Sequence, residues 1–283
     1  MNSWPIGVMQ GRLSPKYCGH YQAHPAGYWQ DEFPIAAGLG LELIEFVFDQ
    51  ASAEQNPLMR DSGVDEILAI SEKTGVKVRS VCADYFMTAP LHGVRASAAQ
   101  HSVHALETLI RLSARLGVRD IVIPCVDESR FKNQAEIEEF TARLRPLAEI
   151  AGKHNLRLAL ETDLAPEPFA ELLEKLDSPA IAANYDLGNS AAMGHDPEKE
   201  FAAYGRRISH VHVKDRTLGG GSVLLGSGAA DFQKVLASLA GYDYRGSLIM
   251  QAFRDDEGLA IFRRQLSWFC NVLAQFCRTG AAP

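Results

Sequence analysis

The stretch "ISHVHVKDR", residues 208–216, alternates in the way that the side chains of a β-strand alternate between two faces. Val211 and Val213 share one face, which would pack against a hydrophobic layer. The other face carries cationic or imidazole side chains, which are His210, His212, Lys214 and Arg216. Packing alone does not explain four such side chains in a row, so this strand is expected to border a functional site.

Seven other apolar runs of strand length accompany this one. The eight runs are "PIGVMQ", "ELIEFVF", "KVRSVCA", "DIVIPCV", "LRLALET", "AIAANYD", "SHVHVKD" and "SLIMQAF". Longer segments with apolar residues at helical spacing separate them, and several end at a residue typical of helix termini, such as Gly75, Gly117 or Asn155. Alternating strands and helices predict an α/β protein, a single (β/α)8 TIM barrel over residues 1–283. A doubly wound sheet is the alternative, but it usually has a glycine-rich turn after the first strand, where this chain has "QGRLSP".

Composition excludes several classes of protein. The net charge of −7 provides no basic surface for nucleic acid, so no nucleic-acid partner is expected. The N-terminal "MNSWPIGVMQGRLSP" does not resemble a signal peptide, and no stretch reaches the ~18 apolar residues of a membrane-spanning helix. The five cysteines include no CxxC pair. We therefore expect a cytoplasmic protein without a membrane partner; the sequence leaves a homo-oligomer open.

Polar side chains stand at the carboxyl ends of the predicted strands, where the active sites of TIM barrels lie. Glu161, Asp186 and His212 each follow directly on a hydrophobic strand. Two carboxylates and an imidazole that meet at one mouth form a ligand set for a divalent metal such as Mn²⁺, Mg²⁺, Co²⁺ or Zn²⁺. The expected substrate-binding residues, also at or near strand ends, are Gln10, Arg12, Glu45, Asp84, Asn189, Lys214, Arg216 and Arg254.

The seventh predicted strand and the loop after it suggest two further roles. His210 lies one inward position deeper than His212, either as a hydrogen-bonded core histidine or as a residue that orients a metal ligand. The glycine-rich loop that follows leads us to expect that Lys214 and Arg216 bind an anion or a hydroxyl group, with help from the backbone amides of Gly226 and Gly228.

These segments resemble the xylose isomerase-like barrel superfamily, most closely its pentulose-phosphate 3-epimerases. The resemblance covers almost the whole chain and is strongest in "LALETDL", "NYDLGNSAAMGHD", "SHVHVKDR", "LGSGAADF" and "YRGSLIMQAF". It implies that Glu161, Asp186 and His212 hold a divalent metal together with a fourth residue from the eighth strand. The family has a glutamate at that fourth position, whereas this chain has Gln251.

The replacement at position 251 bears on the expected reaction. The resemblance implies an epimerisation through an enediolate, in which one base removes a proton and a second group returns one to the opposite face. Glu161 can be one base, but the Gln251 amide cannot accept a proton. Either Glu45, Asp84 or His195 replaces it, or the reaction needs one base, as aldose–ketose isomerisation and dehydration do.

The sequence therefore leads to one main hypothesis and two alternatives. The main hypothesis is a metal-dependent isomerase or epimerase that acts on a small sugar or sugar phosphate, with Glu161 as its catalytic residue. A dehydratase of a cyclic polyol ketone on the same scaffold is the first alternative. A non-catalytic sugar-binding barrel is the second, because Gln251 replaces the expected glutamate.

Overall fold

Eight parallel strands close into a barrel in the computed structural model, which describes residues 4–278. The strands are β1 (Ile6–Met9), β2 (Leu43–Val47), β3 (Lys77–Cys82), β4 (Asp120–Cys125), β5 (Arg157–Thr162), β6 (Ile181–Asp186), β7 (Ile208–Val213) and β8 (Leu248–Met250). Each strand pairs with its neighbours in chain order, and β8 pairs with β1 through Gly7 and Ile249. The predicted (β/α)8 architecture is confirmed.

Helices follow the strands around the outside of this barrel. They are α1 (Glu32–Gly38), α2 (Asp61–Thr74), α3 (Tyr85–Thr88), α4 (Ala96–Leu116), α5 (Gln134–Lys153), α6 (Pro166–Leu176), α7 (Leu187–Met193), α8 (Pro197–Tyr204), α9 (Phe232–Gly241) and α10 (Leu259–Arg278). The stops predicted at Gly75 and Gly117 are present, because both glycines adopt the left-handed conformation that ends α2 and α4. Within residues 4–278, no helix is both long enough and apolar enough to cross a membrane.

The alternation of each strand separates two environments. Side chains such as Phe46 and Val211 belong to the large hydrophobic layer between strands and helices. A separate small cluster contains Met9, Val47, Cys82 and Ile249. Most of the remaining barrel interior near the strand ends is polar and buried, which is the first sign that this interior serves chemistry as well as packing.

The amino end of the barrel is closed by a buried carboxylate. Asp120 on β4 accepts two hydrogen bonds of 2.9 Å from the Arg157 guanidinium on β5. It also accepts a 2.6 Å hydrogen bond from the hydroxyl of Ser209 on β7, across the barrel. These contacts hold three strands together at the end opposite the predicted site.

The long loop after β1 is held in place by two buried charges. The Glu32 carboxylate accepts hydrogen bonds from the backbone amides of Gly11 and Leu13, both within 3.0 Å. The Arg254 guanidinium donates to the backbone carbonyls of Gly11, at 2.5 Å, and Ser14, at 2.8 Å. The loop therefore has a defined path over the barrel mouth.

Replacement of Gly7 by alanine is expected to destabilise the fold. A Cβ atom there would lie 2.5 Å from Ile249 Cδ1 and 2.9 Å from Leu43 Cβ, so the closing strands would have to separate. Overpacking of this kind costs about 1–3 kcal/mol, measurable by urea unfolding. Gly38→Ala is the control, because its Cβ would enter open space at the end of α1. Equal stabilities for the two variants would contradict this explanation of barrel closure.

Candidate active site

A cavity of about 1050 Å³ opens at the carboxyl ends of the strands. The loop after β1 contributes Tyr17, Tyr21 and Gln22 to its wall. Among the residues predicted from the sequence, those that line it are Asp84, Glu161, Asn189, Lys214, Arg216 and Gln251. The cavity is large enough for a sugar or sugar phosphate.

Glu161, Asp186 and His212 come together at the end of β5, β6 and β7. Each offers one ligand atom, and these atoms all lie within 4.8 Å of one another. His212 Nδ1 lies 3.3 Å from Glu161 Oε2 and 3.9 Å from Asp186 Oδ2. All three side chains are buried, so two carboxylates and an imidazole share a small volume that water reaches poorly.

Two asparagines position the Glu161 carboxylate. The Asn184 amide donates to Glu161 Oε2 over 2.7 Å, and the Asn189 amide donates to Glu161 Oε1 over 2.5 Å. Burial raises the pKa of Glu161, but the hydrogen bond and charge of His212 outweigh burial and lower it overall. Glu161 is therefore ionised near neutral pH, as a proton acceptor must be.

Glu45 of β2 orients the imidazole ring of His212. His212 Nε2 lies 2.6 Å from Glu45 Oε1, which leaves Nδ1 turned toward Glu161. The other Glu45 oxygen lies 2.5 Å from His210 Nε2. His210 thus contacts the carboxylate that holds His212. The predicted residues Glu45 and His210 therefore lie inside the barrel rather than in the wall of the cavity.

The pKa values of this buried group follow from its charges. Burial by itself lowers the pKa of His212, but the charge of Glu45 and the hydrogen bond to Glu161 raise it to about 10. Burial also raises the pKa of Asp186, although the Lys214 ammonium, 3.4 Å from Asp186 Oδ2, acts in the opposite direction. Without a metal, the histidine therefore holds a proton between the carboxylates.

Gln251 follows β8 and lines the same cavity. Its amide nitrogen donates to Gln22 Oε1 over 2.9 Å, whereas its Oε1 is buried and has no hydrogen-bond partner. An unpartnered buried carbonyl oxygen is costly unless a ligand satisfies it. The donor set of two carboxylates, one imidazole nitrogen and this amide oxygen fits a divalent cation.

Lys214 and Arg216 form a cationic part of the wall beside this donor set. Lys214 Nζ lies 3.2 Å and Arg216 Nη1 lies 2.8 Å from Asn189 Oδ1, so both cations converge on one amide. Because Asn189 also donates to Glu161, a substrate group bound by the cations would lie next to the candidate base.

The loop after β7 corrects the expectation for Gly226 and Gly228. Their backbone amides each donate over 2.9 Å to Asp215 Oδ2, and the amide of Ala230 donates to Asp215 Oδ1. The expected anion site is therefore filled by the chain's own carboxylate, which shapes the loop. The expectation of an amide-lined substrate site there is wrong.

Gln10 and Arg254 do not reach the cavity wall. Gln10 is buried, where its Oε1 contacts His24 Nδ1 at 2.9 Å and accepts from the Val47 amide at 3.1 Å. Arg254 is occupied by the carbonyls of the loop after β1. Gln10 thus binds the backbone of β2, and Arg254 holds the loop after β1, so both stabilise the structure around the cavity.

Arg12 is buried beside the cavity and holds Gln22, a residue that sequence reasoning missed. The Arg12 guanidinium donates to the Ala252 carbonyl over 2.9 Å and to Gln22 Oε1 over 2.7 Å. Nothing in the pattern around Gln22 indicates a site, because it lies in an irregular loop. Asn184 was also missed, although its strand position two residues before Asp186 places it on the same face.

The description of the family model that matches residues 33–272 is "xylose isomerase-like TIM barrel". The chain belongs to this family. A protein of Haemophilus influenzae, provisionally named L-ribulose-5-phosphate 3-epimerase, is 24% identical over 265 residues, which cover 87% of this chain and 91% of that protein. An inosose dehydratase of Clostridium tetani is 24% identical over 155 residues, 47% of this chain and 52% of the dehydratase.

A solved structure of the same fold is that of the IOLI protein with a bound zinc atom. It superimposes with a TM-score of 0.76 at 15% sequence identity, and the match covers 96% of this chain and 99% of that one. Relatives of this chain are thus named as a sugar-phosphate epimerase, provisionally, and as an inosose dehydratase, and a solved barrel of this fold holds zinc.

Metal content provides a direct test of the donor set. Protein treated with a chelator and reloaded with Mn²⁺ or Zn²⁺ is expected to bind about one ion per chain. Glu161→Ala and His212→Ala should each abolish this binding, as measured by elemental analysis after gel filtration. His104→Ala is the control, because His104 is exposed on α4, outside the barrel. Retention of the metal by both ligand variants would contradict the site.

Metal binding is also expected to release a proton. The raised pKa of His212 keeps its imidazole protonated at pH 7–8, and a cation can bind Nδ1 only after that proton leaves. Titration calorimetry in buffers with different ionisation enthalpies should detect about one proton per ion. Glu45→Gln removes the charge that raises this pKa, so less proton should be released. Equal release by both proteins would contradict the role assigned to Glu45.

Proposed function

We propose that this protein is an isomerase or epimerase of a small sugar or sugar phosphate. The observation that carries the proposal is the buried Glu161 carboxylate, which two amides hold in the wall of a large cavity, with the Asp186 and His212 side chains close beside it. Removal of a proton from a carbon next to a carbonyl needs such a base and a means to stabilise the resulting enediolate.

Four side chains would together hold one divalent cation. Glu161, Asp186 and His212 would hold a divalent cation, with the Gln251 carbonyl oxygen as the fourth ligand. A cation bound there would supply Lewis-acid chemistry, since it draws charge from carbonyl and hydroxyl oxygens and makes the neighbouring carbon more acidic. The ligand set carries two negative charges rather than the three that a glutamate at position 251 would give, so its affinity for cations should be lower.

Lys214 and Arg216 would bind the polar end of the substrate. Both cations lie in the cavity wall and meet at Asn189 Oδ1, close to Glu161. A phosphate or a set of hydroxyls held there would keep the sugar carbon within reach of the base. The similarity to a protein provisionally named as a pentulose-phosphate epimerase supports a phosphorylated substrate.

Dehydration is the second candidate reaction, and Gln251 is the observation that favours it. Loss of water from a polyol ketone can proceed with one base, so the amide at position 251 would be no obstacle. The similarity to an inosose dehydratase supports the same alternative. An inosose therefore belongs in any substrate panel.

The proposal is tested by proton exchange in D₂O. Metal-loaded protein is incubated with five- and six-carbon ketoses, their phosphates and an inosose, and the carbons are followed by NMR. We expect deuterium to enter one substrate next to its carbonyl, together with an epimer or isomer. Glu161→Gln keeps the size of the side chain and one of its two acceptor oxygens but cannot take up a proton, so it should reduce the exchange rate by at least about 10²-fold.

Three other results have defined meanings. Loss of water from the inosose without epimer formation would favour the dehydratase. Binding without exchange or product in the wild-type protein would contradict the proposal in favour of a sugar-binding barrel. Exchange by Glu161→Gln at the wild-type rate would reject Glu161 as the base.

A further inference from the structure

Four carboxylates of the described chain line the cavity, and they are Asp49, Asp84, Asp127 and Glu161. Glu161 is the base proposed above. Epimerisation needs a second group that transfers a proton on the other face of the same carbon, and Gln251 cannot be that group. One of the three remaining acids is therefore the candidate.

Asp49 joins the loops after β1 and β2, and none of its hydrogen bonds leads toward Gln251 or the other donors of the site. Its Oδ2 accepts from the His24 amide over 2.6 Å, and its Oδ1 accepts from the backbone amide and the hydroxyl of Ser52, within 3.0 Å. Asp127 follows β4 at an exposed position, where solvent surrounds its carboxylate. Neither arrangement resembles a proton donor held against a substrate.

The other two groups named by sequence reasoning lie elsewhere. Glu45 is buried in the barrel interior between His210 and His212 and does not line the cavity. His195 does not line the large cavity; it lines a second one of about 20 Å³, too small for a sugar, whose wall also includes Glu161 and Asp186. Among the cavity carboxylates of the described chain and the groups named from the sequence, Asp84 is left.

Hydrogen bonds connect Asp84 to the position where the family has its second glutamate. Gln22 Nε2 donates to Asp84 Oδ2 over 2.5 Å, and Gln22 Oε1 accepts from Gln251 Nε2 over 2.9 Å. Arg12 fixes this arrangement, because its donation to Gln22 Oε1 determines which end of the amide faces Asp84. The Gln22 side chain thus links the Asp84 carboxyl group to Gln251 through two hydrogen bonds.

Cys82 connects Asp84 to the metal-ligand group. The Cys82 thiol donates to Asp84 Oδ1 over 3.2 Å, and Cys82 Sγ also lies within 4.8 Å of a His212 ring nitrogen. Asp84 follows β3 and is held by Gln22 of the loop after β1, whereas Glu161 lies near the end of β5 and is held by Asn184 of β6 and Asn189 of α7. The two acids therefore belong to different walls of one cavity.

We propose that Asp84 is the second proton-transfer residue of this cavity and acts with Glu161 on opposite faces of one substrate carbon. This inference rests on the proposed epimerase function. It assigns to β3 the acid that the family places on β8, so that the chain keeps two-base chemistry with an amide at position 251.

The proton balance of the reaction is as follows. The Glu161 carboxylate takes the proton from the carbon next to the carbonyl, and the C–H electron pair becomes the double bond of the enediolate. The protonated Asp84 carboxyl then donates its proton to the other face of that carbon while the carbonyl re-forms. Glu161 ends protonated and Asp84 ionised, and exchange with solvent restores both.

The surroundings of Asp84 favour the protonated form that this step requires. Burial raises the pKa of Asp84 above its usual range, against the hydrogen bonds from Gln22 and Cys82, which act to lower it. Asp84 is nevertheless partly exposed to the cavity, so a substrate can reach it.

Asp84→Asn separates the two halves of the reaction. The variant is incubated in D₂O with a ketose that the wild-type protein epimerises, and both recovered substrate and epimer are analysed by NMR and mass spectrometry. We expect epimer formation to fall by at least about 10²-fold, while Glu161 continues to introduce deuterium into the recovered substrate. Metal content should equal that of the wild type, since no proposed ligand has changed.

Asp127→Asn is the matched control, because it makes the same chemical change in the same cavity and should epimerise at the wild-type rate. Melting temperatures of all proteins exclude misfolding. The inference is overturned if Asp84→Asn epimerises like this control, or if it loses exchange and epimerisation equally. A wild-type protein that only isomerises would overturn the role of Asp84 but not the proposed function, whereas absence of any exchange would overturn both.

Discussion

The Glu45 carboxylate, buried between His210 and His212, is the interaction on which the site depends. A buried charge is tolerated only when its partners neutralise it, and removal of one partner of such a group typically costs about 3–5 kcal/mol. Here both partners come from one strand, at its two successive inward positions. Glu45 thereby fixes the His212 ring, whose Nδ1 faces Glu161 and Asp186, and a polar barrel interior becomes an oriented ligand set.

Around this centre, the chain itself satisfies many polar groups, but two atoms at the site lack a partner. Asp215 uses the amides of its own loop, and Arg254 uses carbonyls of the loop after β1. The Gln251 carbonyl oxygen and the Arg12 Nη1 atom, in contrast, are buried without a partner. Gln251 lines the cavity and Arg12 bonds to Gln22 in the cavity wall, so a bound ligand would lie near both atoms.

The fold and the meeting of Glu161, Asp186 and His212 could be predicted from the sequence because both depend on regular patterns. Strand alternation identifies the eight strands, and the rule that parallel strands present their carboxyl ends together brings Glu161, Asp186 and His212 to one mouth. The sequence gives no such rule for loops. Gln22 lies in a loop whose path depends on distant contacts with Glu32 and Arg254, so its bridge between Asp84 and Gln251 could not be foreseen.

Wrong or incomplete expectations have the same physical origin. Glycines and cations near a strand end suggest an anion site, but whether the amides are free depends on a side chain such as Asp215, which follows Lys214 directly. Gln10 and Arg254 are polar residues near strand ends, yet they point into the frame. Strand alternation predicts which face a side chain occupies within the strand. It no longer predicts the direction of a side chain one or two residues beyond the end of the strand.

The central claim is that Glu161, Asp186, His212 and Gln251 surround one cation in the proposed active cavity. Anomalous diffraction from a crystal soaked in Mn²⁺ or Zn²⁺ tests it most directly. The account predicts one strong peak, about 2.0–2.3 Å from His212 Nδ1, from an oxygen of each carboxylate and from Gln251 Oε1. A peak held by other residues, or none at this position in fully soaked crystals, would contradict it.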